Sequence, residues 1–364
     1  MSEKPAILIL GGTGFVGRHL VKLLASTEQF SLIRAADKNL PTMAWFDEAY
    51  TTLFKTPPVE FKMANLANEQ SVEKTFEIGE GKQFDYVVDL ASTTDYGKEK
   101  EFYDDRVLKI VSVCGAEAKK RGVKRWIEVS TAQVYKSSTK PATETAALKP
   151  WTLLAAAKLE AENILKKLEI PMIILRPAII YGPGDIHGIM PRLVCGKVYQ
   201  YTNKEMKFLW NEDLNINTVH VTDVAKACHY FLTNGTLGEI YNLCDSGKTN
   251  QIKVNKCISE IFGIKTGFYG SFLSNLARIN FKSAVQDSND EHMQPWGKIT
   301  EENQITKTPL SPYLEPELLY HNEYCIDGTK VTTTGFNYDV PELTKDLLLE
   351  SLNYWISIQA FPPI

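Results

Sequence analysis

Short apolar runs alternate with longer amphipathic stretches through the first half of the chain. The runs have the length of strands and occupy Ala6–Leu10, Ser31–Ala36, Tyr86–Leu90, Trp126–Ser130 and Met172–Leu175. Between them, apolar residues recur at helical spacing in Gly17–Ser26, Val107–Arg121 and Ala155–Leu168. This alternation predicts an α/β fold, a doubly wound parallel sheet with helices on both faces.

The regular alternation ends at the turn cluster Tyr181–Asp185, which contains two glycines and a proline. The remainder mixes short strands, helices and long polar loops, and residues 270–316 are the least regular. Within them, Phe272–Ala284 has apolar residues at helical spacing and predicts an amphipathic helix. Such a helix could cover a cleft or lie on a membrane surface, and its few basic residues favour the lid. We therefore expect a smaller C-terminal substrate-binding lobe.

The composition narrows the possible partners and locations. The 364 residues are 44% hydrophobic with a formal net charge of -4, which argues against a nucleic-acid partner. The six cysteines form no CxxC pair, and His187 and His292 have no ligand at metal spacing, so we expect neither disulfides nor a metal site. No targeting segment or integral membrane span is visible, which predicts a cytoplasmic protein.

A glycine-rich segment follows the first predicted strand and opens the first helix. Its glycines have the spacing GxxGxxG, and the candidate contacts are Gly11, Thr13, Gly14, Phe15, Val16 and Gly17. Such glycines allow a tight turn, close approach to a pyrophosphate and close helix–strand packing, and the start of the helix attracts the phosphate charge. Glycines also serve plain turns, but the strand before and the helix after favour a dinucleotide-binding loop.

Asp37 ends the second predicted strand, twenty residues after Gly17. A carboxylate there can accept hydrogen bonds from both ribose hydroxyls and would repel a 2′-phosphate, which favours NAD over NADP. The alternative is a solvated loop acid without a role in binding. Lys38 keeps NADP as the less favoured cofactor.

Several further motifs resemble those of the extended short-chain dehydrogenase/reductase family, the NAD-dependent epimerase/dehydratase group. They follow the family's order along nearly the whole chain: Asn65-Leu66, Asp89-Leu90-Ala91-Ser92, the strip from Arg176 to Gly184, Val219–Ala225, and Asp327 to Lys330 with Thr334-Gly335-Phe336. The resemblance implies a Rossmann-like fold. Residues 1–182 would form the NAD(P)-binding domain, to which later segments return, and residues 183–364 mainly the substrate-binding lobe and a C-terminal extension.

The resemblance also implies contacts and partners. The family's counterparts of Asn65 and Leu66 contact the adenine, those of Leu90, Ala91 and Ser92 line the cofactor, and those of Pro177 and Ile179 lie beside the nicotinamide. Asn65 stands where the family has an acidic residue. The implied partners are a small-molecule substrate and a second copy of the chain, in a homodimer built on two helices around Leu153-Leu154 and Leu108-Val111.

The family's catalytic residues can be placed individually. Thr131 matches the hydroxyl residue that steadies the reacting oxygen, and Lys158 matches the lysine of the YxxxK motif, which binds the nicotinamide ribose and lowers the pKa of the tyrosine. The tyrosine position is occupied by Leu154, which can exchange no proton. The position that often holds a structural asparagine falls near Val107. Ala132-Gln133 replaces the acid pair of the dehydratases.

A tyrosine elsewhere could replace the missing phenol. Tyr135 belongs to a segment that normally packs below the site, whereas Tyr96 and Tyr103 follow the fourth-strand segment and can face the substrate. A single phenol is more often a hydrogen-bonded packing residue than a catalyst. His220 belongs to one of the family's turns, so we expect it to make a structural hydrogen bond and not a catalytic one. Solvent or backbone contacts are enough to explain Asp89.

The sequence is compatible with two functions. The first is an NAD-dependent oxidoreductase or epimerase that acts on a small hydroxyl or carbonyl substrate, with Lys158 or a loop tyrosine handling the proton. The second is a catalytically silent NAD(P)-binding regulatory or scaffold protein, motivated by the missing tyrosine and asparagine. The substrate is left open between a sugar nucleotide and a sterol or another hydrophobic ketone.

Overall fold

A computed structural model of the chain describes residues 4–79, 81–270 and 281–364, apart from the side chains of Lys282 and Ala284. Residues 272–280 of the predicted amphipathic helix lie outside this described part.

Seven parallel strands form the central sheet. They are β1 (Ala6–Leu10), β2 (Leu32–Asp37), β3 (Val59–Met63), β4 (Tyr86–Asp89), β5 (Arg125–Val129), β7 (Met172–Pro177) and β11 (Ile240–Leu243). Their order is β3-β2-β1-β4-β5-β7-β11. The chain leaves β1 in one direction toward β2 and returns on its other side at β4. This reversal opens a crevice at the carboxyl ends of β1 and β4, where doubly wound folds bind ligands.

The helices lie on both faces of the sheet and in the C-terminal lobe. They are α1 (Phe15–Thr27), α2 (Glu48–Leu53), α3 (Glu69–Phe76), α4 (Lys100–Tyr103), α5 (Lys109–Arg121), α6 (Leu153–Leu168), α7 (Met190–Thr202), α8 (Val221–Tyr230), α9 (Gln251–Phe262), α10 (Phe281–Glu302), α11 (Thr329–Thr332) and α12 (Lys345–Ser357). A π-helical stretch, Asp104–Leu108, joins α4 to α5. Helix α6 begins where the Thr152 hydroxyl accepts a hydrogen bond from the amide of Ala155, at 3.0 Å.

The sheet separates two apolar cores because successive side chains of a strand point to opposite faces. In β1, Ile7 and Ile9 face one core, which also contains residues of α1 and α8. Leu8 and Leu10 face the other, which contains residues of α5 and α6. Every residue of β1 is buried, as the continuous apolar run predicts for a central parallel strand.

Short parallel pairs of strands lie outside the central sheet. These pairs join β8 (Ile179–Tyr181) to β10 (Thr218–His220), β9 (Met206–Phe208) to β12 (Thr266–Phe268), and β6 (Ser138–Ala142) to β13 (Tyr324–Ile326). A third apolar core, which includes Met190, Trp296 and Trp355, supports them.

The prediction of a Rossmann-like doubly wound parallel sheet is confirmed. The apolar pattern did not predict two strands of the sheet. Strand β3 has no continuous apolar run because its exposure varies along its length, and β11 comes from the second half of the chain and pairs with β7 at the sheet edge. The division at residue 182 stays a prediction. Among the described residues, no helix has both the length and the apolar character needed to cross a bilayer.

Candidate active site

The glycine loop is shaped by how closely its backbone approaches its neighbours. Gly11 has φ +79, a left-handed conformation that side chains disfavour, and a Cβ there would lie 2.7 Å from the carbonyl carbon of Leu90. A Cβ on Gly17 would lie 2.3 Å from the carbonyl oxygen of Gly11. Gly14 begins α1, and no described side chain caps that helix start. The loop therefore offers backbone N–H groups to an anion and leaves room for a pyrophosphate.

Asp37, the last residue of β2, holds the glycine loop by hydrogen bonds to backbone amides. Its carboxylate accepts hydrogen bonds from the amides of Thr13, at 3.2 Å, and Asn39, at 3.0 Å. The residue is buried and lines the crevice, so it differs from the solvated loop acid that the sequence left open. A carboxylate held in this way presents acceptor atoms at the place where a ribose would lie.

Arg18 was missed by the sequence analysis and holds the loop in place. Its guanidinium donates to the carbonyl oxygens of Thr13, at 3.2 Å, and Ala44, at 2.7 Å, and to the hydroxyl of Tyr354, at 2.9 Å. These contacts fasten the glycine loop to α12, which belongs to the last part of the chain. A buried arginine is uncommon unless its donors are satisfied, and here they are.

One cleft of about 1260 Å³ runs from the glycine loop to the C-terminal lobe. Every residue predicted from the sequence to bind the cofactor or to catalyse lies on its wall: Gly11, Thr13, Gly14, Phe15, Val16, Gly17, Asp37, Asn65, Leu66, Leu90, Ala91, Ser92, Thr131, Lys158, Pro177 and Ile179. The Asn65 amide oxygen accepts a hydrogen bond from the amide of Ala67, at 3.2 Å, and so shapes its own loop.

Thr131 and Lys158 both line the crevice, and each makes a hydrogen bond with the backbone near the end of β5. The Thr131 hydroxyl accepts a hydrogen bond from the amide of Gln133, at 3.2 Å, which orders a short 3-10 turn after β5. The Lys158 ammonium, on α6, donates to the carbonyl oxygen of Val129, at 3.0 Å. It lies 3.8 Å from a carboxylate oxygen of Glu128, which is fully buried.

Leu154 lines the same cleft one helical turn before Lys158. It is buried in the apolar core that also contains Tyr103 and Val107. Val107 is fully buried in the π-helical stretch Asp104–Leu108, so the position of the family's asparagine packs against apolar atoms. Both positions therefore contribute packing and no hydrogen-bonding group.

The three tyrosines considered as substitutes have different surroundings. The Tyr135 hydroxyl donates to the Asn242 amide oxygen, at 2.7 Å, and accepts from Arg176, at 2.9 Å, away from the cleft wall. The Tyr103 hydroxyl donates to a backbone carbonyl of Asp95. Tyr96 does line the cleft, where the Gln133 amide donates to its hydroxyl at 3.1 Å.

Tyr324, which the sequence analysis did not consider, brings a phenol to Thr131. It lies on β13, lines the cleft and donates to the carbonyl oxygen of Pro177, at 3.3 Å. Burial raises the pKa of this phenol, and a hydrogen bond with the Thr131 side chain lowers it only in part. Tyr324 stands three residues before Asp327 of the C-terminal motif, and that position was the available signal.

Beyond Thr131 the cleft continues into the C-terminal lobe. Its wall there is mainly aromatic and aliphatic, and includes Met206, Phe208, Trp210, Tyr269, Phe281, Leu314 and Tyr320. Arg192 adds a cation to this wall, and burial lowers the pKa of its guanidinium. Within the described ranges, no hydrogen bond or ion pair engages that guanidinium. A partly buried cation without a partner favours an anionic ligand.

The histidines have structural environments. His220 caps the start of α8, where its ring accepts a hydrogen bond from the amide of Thr222, and burial lowers its pKa to about 4. His292 lies 3.2 Å from the Tyr199 hydroxyl. In the part of the chain that the structure describes, no cluster of three or more His, Cys, Asp or Glu side chains could hold a metal ion.

A family model for NAD-dependent epimerases and dehydratases matches residues 7–244, more than half of the sequence. The chain belongs to this family. Membership confirms the resemblance drawn from the motifs and the choice of NAD as the cofactor. The cradle of Gly11, Gly14 and Gly17 with the uncapped start of α1 fits that cofactor.

Individual relatives are distant in sequence and close in fold. A dTDP-D-glucose 4,6-dehydratase of Dictyostelium discoideum is 25% identical over 284 residues, 70% of this chain and 62% of the relative. A decarboxylating sterol-4-alpha-carboxylate 3-dehydrogenase of Saccharomyces cerevisiae is 27% identical, over 65% of this chain and 72% of the relative. The structure of a UDP-glucose 4-epimerase from Thermotoga maritima, 20% identical, superposes with a TM-score of 0.69 over 96% of this chain and 98% of the epimerase.

Proposed function

We propose that this protein catalyses NAD-dependent oxidation and reduction at a carbon bearing a hydroxyl or carbonyl group, in an anionic small substrate such as a nucleotide sugar. The observation that carries the proposal is that Thr131, Lys158 and Tyr324 line the same cleft as the glycine loop, with the Tyr324 hydroxyl 3.3 Å from the carbonyl oxygen of Pro177. A donor group and a cation are thus present where the family's tyrosine is missing.

Different side chains of the protein orient the reacting oxygen of the substrate and stabilise its charge. NAD, when bound, supplies the acceptor for a hydride from the substrate carbon. Thr131 and Tyr324 orient the substrate oxygen by hydrogen bonding, and the Lys158 ammonium stabilises negative charge that develops on it. Because burial raises the pKa of Tyr324, its phenol stays protonated. The proton that it now donates to the Pro177 carbonyl oxygen can turn to the substrate oxygen instead. Tyr324 therefore replaces the hydrogen bond of the missing tyrosine, and the proton itself passes through Lys158.

The anionic character of the substrate rests on Arg192. Its guanidinium faces the part of the cleft beyond Thr131, and no carboxylate of the described residues neutralises it. A diphosphate or a carboxylate would pair with it, while the aromatic wall would contact a base, a sugar ring or a hydrocarbon. The names of the relatives include dTDP-glucose dehydratases and a sterol-carboxylate dehydrogenase, and both substrate types carry an anionic group.

The test combines binding with turnover. Purified protein is mixed with NAD and with UDP- and dTDP-sugars in one arm and with hydrophobic hydroxy-carboxylates in the other. NADH absorbance detects net oxidation, and NMR of the products detects an epimer, which forms without net NADH. Turnover in the first arm supports the nucleotide-sugar assignment, and turnover only in the second replaces it. NAD binding without turnover in either arm would favour the catalytically silent protein.

Arg192→Gln tests the anion contact directly. We expect the affinity for the accepted substrate to fall about tenfold or more, since a charged hydrogen bond contributes roughly 1.5–3 kcal/mol. Lys207→Gln is the matched control, because Lys207 lines the same cleft but is already paired with Glu205 at 3.4 Å. Calorimetric titration measures both variants. An equal loss in the two would show a general charge effect and contradict the assignment of Arg192.

A further inference from the structure

Two carboxyl groups lie buried directly below Lys158, outside the set of residues used above. Asp89 ends β4 and Glu128 lies in β5, and the two are Cα partners in neighbouring parallel strands. Asp89 is 1% exposed and Glu128 is 0% exposed. Two ionised carboxylates at such a place would repel each other without solvent to screen them.

In each carboxyl group of the pair, one oxygen accepts a hydrogen bond and the other accepts none. Asp89 Oδ1 accepts from the amide of Ala91, at 2.9 Å, and Glu128 Oε2 accepts from the indole N–H of Trp126, at 3.2 Å. Asp89 Oδ2 and Glu128 Oε1 have no donor among the described residues. A single proton held between these two oxygens would satisfy both of them, which two ionised carboxylates cannot do because they have no hydrogen to share.

Lys158 connects this pair to the cleft. The distance of 3.8 Å joins its Nζ to Glu128 Oε1, the same oxygen that lacks a donor. Lys158 also lines the cleft beside Thr131. Its ammonium thus lies between the cleft and the carboxyl group of Glu128.

The other titratable neighbours do not compete for the proton. On α6, the Glu162 carboxylate is held by Arg176, at 2.9 and 2.6 Å, and by the hydroxyl of Ser130, at 2.6 Å. On α5, burial raises the pKa of the Cys114 thiol, which stays protonated. Burial also raises the pKa of both Asp89 and Glu128, in agreement with a proton held between them at neutral pH.

We propose that Asp89 and Glu128 share one proton beneath Lys158, and that this pair is the proton store for the reaction in place of the missing tyrosine. The inference rests on the proposed function for its catalytic part. Asp89 and Glu128 act through Lys158, so they position a proton and do not touch the substrate.

The proton transfers balance in both directions. When a carbonyl is reduced, an N–H bond of Lys158 breaks and an O–H bond forms on the substrate oxygen, while the shared proton leaves the carboxyl pair and restores the ammonium. When an alcohol is oxidised, its O–H proton passes to Nζ, and a Lys158 proton passes to the carboxylate of Glu128. The hydride removed in the oxidation would go to NAD, the oxidant that the proposed function already names, and the hydride needed in the reduction would come from NADH.

Infrared spectroscopy of the protein without substrate tests the shared proton. We expect a protonated-carboxyl band at neutral pH that disappears as the pH rises and is absent from Glu128→Gln and from Asp89→Asn. Both variants keep the side-chain shape and remove one charge. Asp185→Asn is the control, because burial also raises the pKa of Asp185, to about 6. A band that survives both pair variants and disappears in Asp185→Asn would overturn the proposal, as would the absence of any band.

The pH profile of turnover tests the catalytic part. Wild-type reduction should slow and oxidation should speed up as the pH rises through the titration of the infrared band. Glu128→Gln should lose this pH dependence and keep its affinity for NAD. An unchanged profile in Glu128→Gln would overturn the role of the pair even if the band is present. A wild-type protein with the band but without turnover would reject the proposed function and the relay, and leave the shared proton established.

Discussion

At the scale of single residues, the proposed function assigns to Tyr324 the phenol that position 154 lacks. Leu154 removes the phenol from α6 and packs its side chain into the core with Tyr103 and Val107. Tyr324 supplies a phenol from β13, a strand far away in the sequence, and places it against Thr131. The two positions line one cleft, so the hydrogen-bonding function can shift between them without a change of fold.

Tyr324→Phe removes this phenol with little change in volume. We expect kcat to fall roughly 100-fold with unchanged NAD affinity, the size of effect typical for losing one donor to a developing oxyanion. Steady-state kinetics and NAD titration measure the two quantities. Tyr96→Phe is the matched variant, since Tyr96 also lines the cleft but is engaged by Gln133. A larger loss in Tyr96→Phe would assign the role to the loop tyrosine.

Leu154→Tyr restores the family's phenol, and Leu154→Phe is its control for bulk. Either ring overpacks a buried position, which costs roughly 1–3 kcal/mol of unfolding free energy. If the restored hydroxyl reaches the substrate oxygen, Leu154→Tyr should turn over about 100-fold faster than Leu154→Phe, the contribution of positioned acid–base catalysis. Equal rates in the two variants would mean that the cleft no longer accommodates a catalytic phenol at this position.

At the scale of elements, the turn from β1 into α1 depends on glycine because two backbone segments touch. The hydrogen of Gly17 faces the carbonyl oxygen of Gly11, where a methyl group would lie 2.3 Å away. Arg18, next in the chain, fixes the same loop to α12 through Tyr354. The loop is therefore held from both sides, and its geometry is set by packing as well as by local conformation.

Gly17→Ala should push α1 away from the loop and weaken NAD binding by about tenfold or more. Fluorescence or calorimetric titration of NAD measures this loss. Gly297→Ala is the matched control, since Gly297 lies inside α10 with no atom near the added methyl group. That variant should keep its NAD affinity and gain about 1 kcal/mol of helix stability. Similar NAD affinities in the two variants would contradict the packing argument.

At the scale of the whole molecule, a buried hydrogen bond from Arg18 to the Tyr354 hydroxyl, at 2.9 Å, connects the two halves of the chain. Arg176 and Glu162 link β7 to α6, and β11 completes the sheet from the later half. The homodimer stays a prediction. Of the helix residues considered for its interface, Leu153 is 46% exposed and available to a partner, whereas Leu154 and Val111 are buried within the protomer.

His220 should make the unfolding free energy depend on pH. Its pKa is lowered from 6.5 to about 4 by burial, so the unfolded chain binds a proton near pH 6.5 that the folded protein binds only near pH 4. The unfolding free energy should therefore fall as the pH drops through this window, by at most roughly 3 kcal/mol for this residue.

Denaturant unfolding at several pH values checks the loss. His220→Asn keeps a helix-capping group and removes the titration, so its stability should decline less between pH 6.5 and pH 4. His19, whose pKa burial also lowers to about 4, stays in both proteins, so the pH dependence that remains in His220→Asn includes its titration. Parallel pH dependences of the two proteins would contradict the assignment.

The sequence by itself determined the doubly wound sheet, the glycine loop and the cofactor. These depend on local patterns: buried parallel strands read as apolar runs, and a phosphate-binding turn needs glycines at set spacing. It also predicts Thr131 and Lys158 as catalytic residues and Leu154 at the position of the family's tyrosine, because those positions are recognised from short motifs.

Only the tertiary structure decided which distant groups meet at that site. Tyr324 reaches Thr131 because β13 pairs with β6, and Asp89 reaches Glu128 because β4 pairs with β5. From the sequence, Asp89 is explained by solvent or backbone contacts, but in the structure it is buried next to Glu128. The protonation of a carboxyl group depends on such surroundings. Strand pairing and desolvation are long-range effects, and a local pattern in the sequence does not contain them.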